Sequence, residues 1–228
     1  MLFFCSTAFA QDGFYLLPSL GVGIANAKAK YPPAPVGGPY LVASPTKNIV
    51  GFNGQLLVLY QLGNWQIGTG ASFIRSGFSE QYEYGEVFPI YGDDKLYYYH
   101  VAVPLNIAYN FNIGSRFSVM PCLGGEVSYN YAANFNNHDN NNGNTYNTKQ
   151  RFTDNDFNNQ YQRTSLWGTV KIQAGYQLTD RTFIIAGPKA QYMLQSLLKT
   201  SYNYQKNYLY TFDIGIKWAL RDNSRKAS

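Results

Sequence analysis

Apolar and polar residues alternate one by one along most of the chain between Gly13 and Leu220. Because successive side chains of a β-strand point to opposite faces, this pattern predicts strands with one apolar face and one polar or small face. In the final segment, aromatic and aliphatic residues fill the even positions, while Asp213 and Lys217 lie among the odd ones. Eight segments of this kind are predicted, over residues 13–27, 49–62, 65–79, 96–111, 116–131, 163–178, 182–194 and 208–220.

Short and long connections alternate strictly between these segments. The short, turn-like ones cover residues 62–65, 110–116 and 177–182. The long polar ones cover residues 28–48, 80–95, 132–162 and 195–207. Because hydrocarbon cannot hydrogen-bond a backbone, a chain of strands crosses a bilayer only as a closed sheet. We therefore expect a closed antiparallel transmembrane β-barrel of about eight strands in the cell outer membrane. Its short turns and both termini would lie in the periplasm, and its long loops outside the cell.

Aromatic residues concentrate at both ends of the predicted strands. They make up 17% of the chain, against 14% for charged residues, which is more than a water-soluble domain needs. Their rings suit the boundary between acyl chains and headgroups. The alternation therefore predicts two interface girdles, with Tyr60, Trp65, Phe111, Phe117 and Trp218 at the turn ends and Tyr208 and Tyr210 at the loop ends.

A small set of polar and charged residues falls on the inward face of the same strands. The charged members are Glu126, Lys171, Asp213 and Lys217, and the neutral ones include His100, Asn53 and Gln55. Isolated buried charges are costly, so we expect a lumenal salt-bridge network, with Glu126 and Lys171 on neighbouring strands. The alternative is a selective ion path. About eight strands enclose a lumen that side chains just fill, which favours the network.

Four prolines interrupt the predicted strands. A proline removes a hydrogen-bond donor from the ladder, so we expect local bulges at Pro18, Pro104, Pro121 and Pro188.

Asparagine dominates the longest predicted loop, residues 132–162, and no apolar periodicity remains there. This composition predicts a disordered or loosely ordered surface loop. The alternative interpretation is a contact surface for a receptor, a phage or a host.

The two ends of the chain differ from the barrel region. Residues 1–10 form a short apolar run that ends in Ala8-Phe9-Ala10, the pattern of a signal peptide and its cleavage site. No positive charge precedes this run, so we expect the true start to lie further upstream. Residues 11–220 would form the barrel, and residues 221–228 a polar tail.

The net charge of +5 is scattered over the predicted loops. Such cations suit the phosphates of lipopolysaccharide, whereas nucleic-acid binding would require a clustered stripe and is not expected. His100, His138 and Cys122 lie far apart in the sequence, so we expect no metal site and no cofactor. We expect no catalytic residues, although His100 would be the candidate in a lipid A-modifying barrel enzyme.

Several segments together carry a family resemblance. They are the Ala-Phe-Ala-Gln end of the signal core, Ser19-Leu-Gly-Val-Gly-Ile24, Ala186-Gly-Pro-Lys-Ala-Gln-Tyr192 and the aromatic last strand. The chain resembles the small outer-membrane barrel family of Bacteroidota, the PorT-like group, and more distantly the outer-membrane protein A and X barrels. The chain departs from the proteobacterial barrels by ending in a polar tail rather than an aromatic residue.

The resemblance implies a monomeric barrel with a structural, adhesive or secretion- and gliding-accessory role, and no catalytic residues to transfer. Its partners would be outer-membrane lipid and another outer-membrane or secretion-system protein. Two alternatives remain, a narrow pore for ions or small solutes and a lipid A-modifying enzyme. A soluble lipocalin-like barrel, apolar inside and polar outside, is the structural competitor.

Overall fold

The computed structural model describes residues 12–30, 41–43, 45–84, 90–141, 144–151, 161–198 and 204–220. The predicted signal peptide and polar tail lie outside this part of the chain. The described residues form eleven strands: β1 (Gly13–Lys30), β2 (Leu41–Ala43), β3 (Ile49–Leu62), β4 (Trp65–Tyr84), β5 (Ile90–Tyr109), β6 (Phe111–Ile113), β7 (Phe117–Asn141), β8 (Asn144–Arg151), β9 (Thr164–Thr179), β10 (Thr182–Met193) and β11 (Tyr204–Ala219). Among these residues, no helix has the length and apolar character needed to cross a bilayer.

Eight of the strands close into a ring. Each pairs antiparallel with two neighbours, in the order β4, β3, β1, β11, β10, β9, β7, β5 and back to β4. The remaining strands add to this wall, because β6 pairs with β7 just after Asn110, while β2 and β8 pair with β4 and β7. The predicted closed antiparallel barrel of about eight strands is confirmed.

The outer wall is apolar and the interior is polar. Leu20 and Leu123 are 74% and 67% exposed, whereas inward-facing Asp213 and Glu126 are 1% and 2% exposed. In water, exposed rows of aliphatic side chains would be unfavourable, but in a bilayer they contact acyl chains. The inverted, lipocalin-like arrangement is therefore wrong. The chain is a transmembrane β-barrel of the outer-membrane type.

One end of the barrel carries tight turns. Gly63 and Gly114 adopt positive φ values of 56° and 69°, which a residue without a Cβ adopts at no steric cost. Both ends of the barrel region meet here, since the Leu220 amide donates to the Phe14 carbonyl at 2.9 Å. This is the predicted periplasmic end.

The opposite end is taller on one side of the barrel than on the other. β4 and β5 have 20 residues each and β7 has 25, whereas β10 has 12. Residues 79–84, 90–95, 134–141 and β8 stay paired beyond the belt, and we call them the raised sheet.

The raised sheet corrects two predictions. Residues 132–141 and 144–151 are strands, so the disordered or loosely ordered loop predicted there is wrong. Most of the loop predicted at 80–95 is likewise strand, because β4 runs to Tyr84 and β5 begins at Ile90. None of the side chains from Asn134 to His138 is buried, so backbone pairing persists there without alternation of apolar residues.

The four prolines do not produce the predicted bulges. Beside each one, the ladder lacks pairs on one side and then resumes in the same register. Around Pro18, for example, Leu16 pairs with Trp218 and Ser19 pairs with Gly215. Each strand keeps its other neighbour, so the missing donor is tolerated without an inserted residue.

Register shifts occur instead at two other positions, between Thr182 and Phe183 and between Tyr99 and His100. At the second, Tyr99 pairs with Ala132 while His100 pairs with Asn130, which leaves Tyr131 as an extra residue in β7. This bulge lies at the base of the raised sheet.

Candidate functional site

The lumen contains all seven of the inward residues predicted from the sequence. Each is at least nine-tenths buried: Asn53, Gln55, His100, Glu126, Lys171, Asp213 and Lys217. Their strands are spread around the ring, so the side chains converge from different directions. We call the middle layer that they form around Glu126 and Asp213 the polar band.

Glu126 of β7 is the centre of the polar band. Its carboxylate accepts hydrogen bonds from side chains of four other strands: Ser72 Oγ at 2.7 Å, Gln191 Nε2 at 2.6 Å, Thr169 Oγ1 at 3.2 Å and Gln55 Nε2 at 3.4 Å. It also forms a fully buried ion pair with Lys189 Nζ at 3.5 Å. One carboxylate therefore ties β7 to β3, β4, β9 and β10.

Lys189 is the lumenal cation that sequence reasoning missed. It follows Pro188, and the expected bulge there made the facing of later side chains uncertain. Because the register is continuous, Lys189 shares the inward face with Ile185 and Gln191. Strict alternation with Gln191 was the signal that could have identified it.

Lys171 does not pair with Glu126 as predicted. Their strands are neighbours, but β9 places Lys171 opposite Cys122, four residues from Glu126. Its Nζ donates instead to Gln55 Oε1 at 3.0 Å. Gln55 in turn donates to Glu126, so Lys171 joins the polar band through an amide.

Asp213 joins the same band from β11. Its Oδ1 accepts hydrogen bonds from Asn53 Nδ2 at 3.1 Å and Thr211 Oγ1 at 2.6 Å. Asn53 Oδ1 lies 3.5 Å from Lys189 Nζ, which connects Asp213 to Glu126 across the lumen. Hydrogen bonds therefore link Asp213, Glu126 and Lys171, while the salt bridge found among the described lumenal residues is the one between Glu126 and Lys189, a residue outside the predicted set.

Lys217 belongs to a separate site near the turns. It donates to Gln61 Oε1 at 2.6 Å and Gln66 Oε1 at 2.9 Å, and its Nζ lies 4.2 Å from the centre of the Tyr15 ring. The expectation that Lys217 joins the other three charges is wrong. A cavity of about 20 Å³ beside it has room for roughly one water.

Apolar layers close the lumen above and below the polar band. The upper layer lies at the extracellular mouth and consists of Ala27, Phe78, Tyr98, Ala133, Tyr161, Trp167, Met193 and Leu197. The lower layer lies toward the turns and consists of Tyr15, Leu17, Leu57, Leu59, Met120, Ile185 and Ala219. Burial raises the pKa of Tyr161 at the mouth, an effect that its hydrogen bond with Tyr98 partly offsets. Side chains therefore fill the lumen at three levels.

His100 lies between the polar band and the upper layer. Its Nε2 is 3.3 Å from Ser76 Oγ, which also accepts a hydrogen bond from Asn207 Nδ2 at 3.1 Å. The ring packs edge-on against Trp167, and Nδ1 has no partner among the described residues. His100 and Ser76 are both 0% exposed, and no described carboxylate orients the imidazole. This geometry holds a buried histidine and offers a substrate no access.

The predicted interface aromatics point outward. At the turn end, exposed side chains pack in pairs, with centroid distances of 5.0 Å for Phe14–Tyr60, 5.0 Å for Trp65–Tyr109 and 4.8 Å for Phe117–Tyr176. Phe111 and Trp218 are also exposed there. At the loop end, the rings of Tyr208 and Tyr210 lie 5.7 Å apart.

Within the described residues, no group of three or more His, Cys, Asp or Glu side chains could hold a metal ion. The described lumenal side chains of the polar band are joined by hydrogen bonds and by the Glu126–Lys189 ion pair.

Comparison with known proteins adds a likeness of fold. No protein-family model matches the sequence, and no curated protein matches it. Neisserial surface protein A is similar at 17% identity and a TM-score of 0.43, over 91% of this chain and 97% of that one. Ail, the attachment invasion locus protein of Yersinia pestis, is similar at 19% identity and 0.39, over 91% and 100%. The outer membrane protein OprG from Pseudomonas aeruginosa is similar at 12% identity and 0.42, over 93% and 99%. The resemblance to the PorT-like group stays a prediction, and the architecture rests on the strand ring and the exposed apolar belt.

Proposed function

We propose that this protein is a closed outer-membrane barrel whose raised sheet makes adhesive or secretion-accessory contacts at the cell surface. The observation that carries the proposal is the division of the molecule into a filled lumen and a projecting polar sheet. Described side chains fill the lumen at three levels, whereas the raised sheet offers surface to a partner outside the membrane.

The filled lumen favours this function over a pore. A conducting path would have to cross two apolar layers and the Glu126–Lys189 ion pair between them. Desolvating an ion at each apolar layer is unfavourable, because apolar side chains do not replace its water.

The chemistry of the raised sheet suits polar recognition. Asn137 Nδ2 donates to Asp94 Oδ1 at 2.8 Å, so amide side chains cross-link neighbouring strands. On β8, which pairs with β7 alone among the described strands, Thr148, Lys149 and Arg151 are exposed. Amides and cations at a strand edge can hydrogen-bond to a partner's backbone or to acidic and sugar groups.

Shortening the hairpin tests the proposal directly. Phe135 and Gln150 are partners in the β7–β8 ladder, so replacing residues 136–149 by Asn-Gly would join them through a two-residue turn. We expect the variant to keep the barrel, seen as heat-modifiable migration on gels, but to lose attachment of intact cells to surfaces or secretion of cargo.

The matched control changes the opposite end, as Ser115→Ala in a periplasmic turn, and should leave both activities at the wild-type level. Unchanged attachment and unchanged secretion in the shortened variant would contradict the proposal.

Planar-bilayer recording tests the alternative function. The purified barrel should show no discrete current steps, because side chains fill the lumen at three levels. Reproducible single-channel steps in the shortened and the wild-type protein alike would instead favour a pore.

A further inference from the structure

Two lysines lie side by side on the outer face of the barrel, where the wall reaches its extracellular edge. Lys28 of β1 is the cross-strand partner of Lys206 of β11. Lys28 is exposed, Lys206 is half-buried, and both lie in the outward-facing rows of their strands. Like charges directly opposite each other on one face destabilise a strand pair, and an anion between the two amines would remove that repulsion.

The strands that carry this pair, and those beside them, supply no carboxylate on their outer face. Residues 13–79 contain no Asp or Glu, and residues 181–212 contain none. The single carboxylate of β1, β10 and β11 is Asp213, which is buried in the lumen. On the far side of the barrel, by contrast, Lys95 pairs with Asp93 at 3.2 Å.

The surroundings place the two amines at headgroup level. Lys206 Nζ lies 6.0 Å from the centre of the Tyr192 ring and donates to the Leu194 carbonyl at 2.9 Å. Tyr192 and Tyr210 are 41% and 51% exposed and belong to the extracellular girdle, and such rings mark the boundary of the hydrocarbon. An ammonium group has three N–H donors, so the bond to Leu194 leaves two for a ligand.

We infer that Lys28 and Lys206 bind a phosphate group of lipid A, the membrane anchor of lipopolysaccharide. Phosphate oxygens accept charge-assisted hydrogen bonds from both amines, and the apolar wall below, with Ile24 and Tyr210 exposed, receives the acyl chains. Lipid A is the phosphorylated lipid of the outer leaflet, the level at which this pair lies. The inference concerns the outer wall rather than the raised sheet, so it holds or fails independently of the proposed function.

The test is a lipid titration of the refolded full-length chain in neutral detergent, with bound lipid counted by native mass spectrometry. The probes are bisphosphorylated lipid A, the same lipid A after removal of its phosphates, phosphatidylglycerol and inorganic phosphate. We expect the wild type to bind the phosphorylated lipid A about tenfold more tightly than the phosphate-free form, as hydrogen bonds to charged groups imply. Inorganic phosphate should not compete at equal concentration, because it lacks acyl chains.

Three double variants locate the site. Lys28→Gln with Lys206→Gln should lose the tenfold preference, while Lys28→Arg with Lys206→Arg should retain it. Lys95→Gln with Lys149→Gln removes the same charge from the taller side and should also retain it. Heat-modifiable migration reports that each variant is folded.

Retention of the preference by the Lys28→Gln, Lys206→Gln variant would overturn the inference. Loss of the preference in the Lys95→Gln, Lys149→Gln control would overturn it as well, because the effect would then follow net charge. Equally tight binding of phosphatidylglycerol would contradict the inference, because the pair would then bind any anionic lipid. Displacement of lipid A by inorganic phosphate at equal concentration would contradict it too, because the pair would then bind the free ion.

Discussion

The two sides of the barrel cross the same membrane with strands of very different length. A transmembrane strand needs about 9–11 residues. On the shorter side, β9, β10 and β11 have 16, 12 and 16 residues. On the taller side, β4, β5 and β7 have 20, 20 and 25, and the surplus forms the raised sheet. Length beyond the belt is therefore not a property of the barrel but of one half of its wall.

The two sides also treat charge differently. At the top of the taller side, Lys95 has a carboxylate partner in Asp93. At the top of the shorter side, Lys28 and Lys206 face each other with no acidic residue on their strands except lumenal Asp213. Lys95 on the taller side thus has a carboxylate partner within the protein, whereas Lys28 and Lys206 have none on the outer face of their own strands. Glu126 joins the two sides through the lumen, because it lies on β7 and its ion-pair partner Lys189 lies on β10.

The largest effect on stability should come from removing the ion pair between Glu126 and Lys189. Glu126→Gln would leave Lys189 charged, buried and without its carboxylate, so we expect a loss of about 3–5 kcal/mol in the free energy of unfolding. Urea titration in detergent micelles, followed by tryptophan fluorescence, measures it. Glu126→Gln combined with Lys189→Met removes both charges and should recover more than half of the loss. A double variant no more stable than the single one would show that the ion pair does not link the sides.

A middle-sized effect should separate two glycines, one from each side of the wall, that differ in the space around them. On the shorter side, a Cβ at Gly23 would overlap the backbone of Tyr210 in β11, whereas on the taller side the nearest atom to a Cβ at Gly125 is the Trp167 carbonyl oxygen at 3.5 Å. Gly23→Ala should therefore destabilise the barrel by about 1–3 kcal/mol, as overpacking does elsewhere. Gly125→Ala should cost clearly less in the same urea titration. Equal losses would mean that small shifts of the backbone relieve the overlap at Gly23.

The smallest effect should come from the surface pair of the taller side. The side chains of Lys95 and Asp93 are 47% and 30% exposed, so solvent screens their attraction. Lys95→Gln should change the free energy of unfolding by about 0.2–1 kcal/mol, with a further decrease of the effect at high salt. A loss of the size expected for Glu126→Gln would contradict the view that charge at the top of this side is locally balanced but structurally dispensable.

The wall could be predicted from the sequence because its two environments differ so sharply. Asp213 and Lys217 alternate with Ile214 and Trp218, and only one assignment of faces suits lipid outside and a polar lumen. The turns were equally clear, since glycine at Gly63 and Gly114 marks where the strand pattern stops. Both signals are local, and a single sequence carries local signals well.

The contacts across the lumen were not local, and they were predicted less well. Alternation places Lys171 and Glu126 on the inward face, but it cannot say that Lys189 from another strand reaches the carboxylate first. The prediction for the raised sheet was wrong for a different reason. From Asn134 to His138 no side chain is buried, so no apolar period accompanies the backbone ladder that β5 and β8 provide.

The extra residue Tyr131 has a consequence for how the surface of this protein can change. Since side chains repeat every two residues, the bulge makes odd-numbered positions of β7 point outward below it and inward above it, as Tyr129 and Ala133 show. Deleting Tyr131 would restore one uninterrupted phase and exchange the two faces of the projecting hairpin, while the side chains of β7 below it would keep their orientation. A single codon could thereby exchange the two faces that the cell presents to its environment.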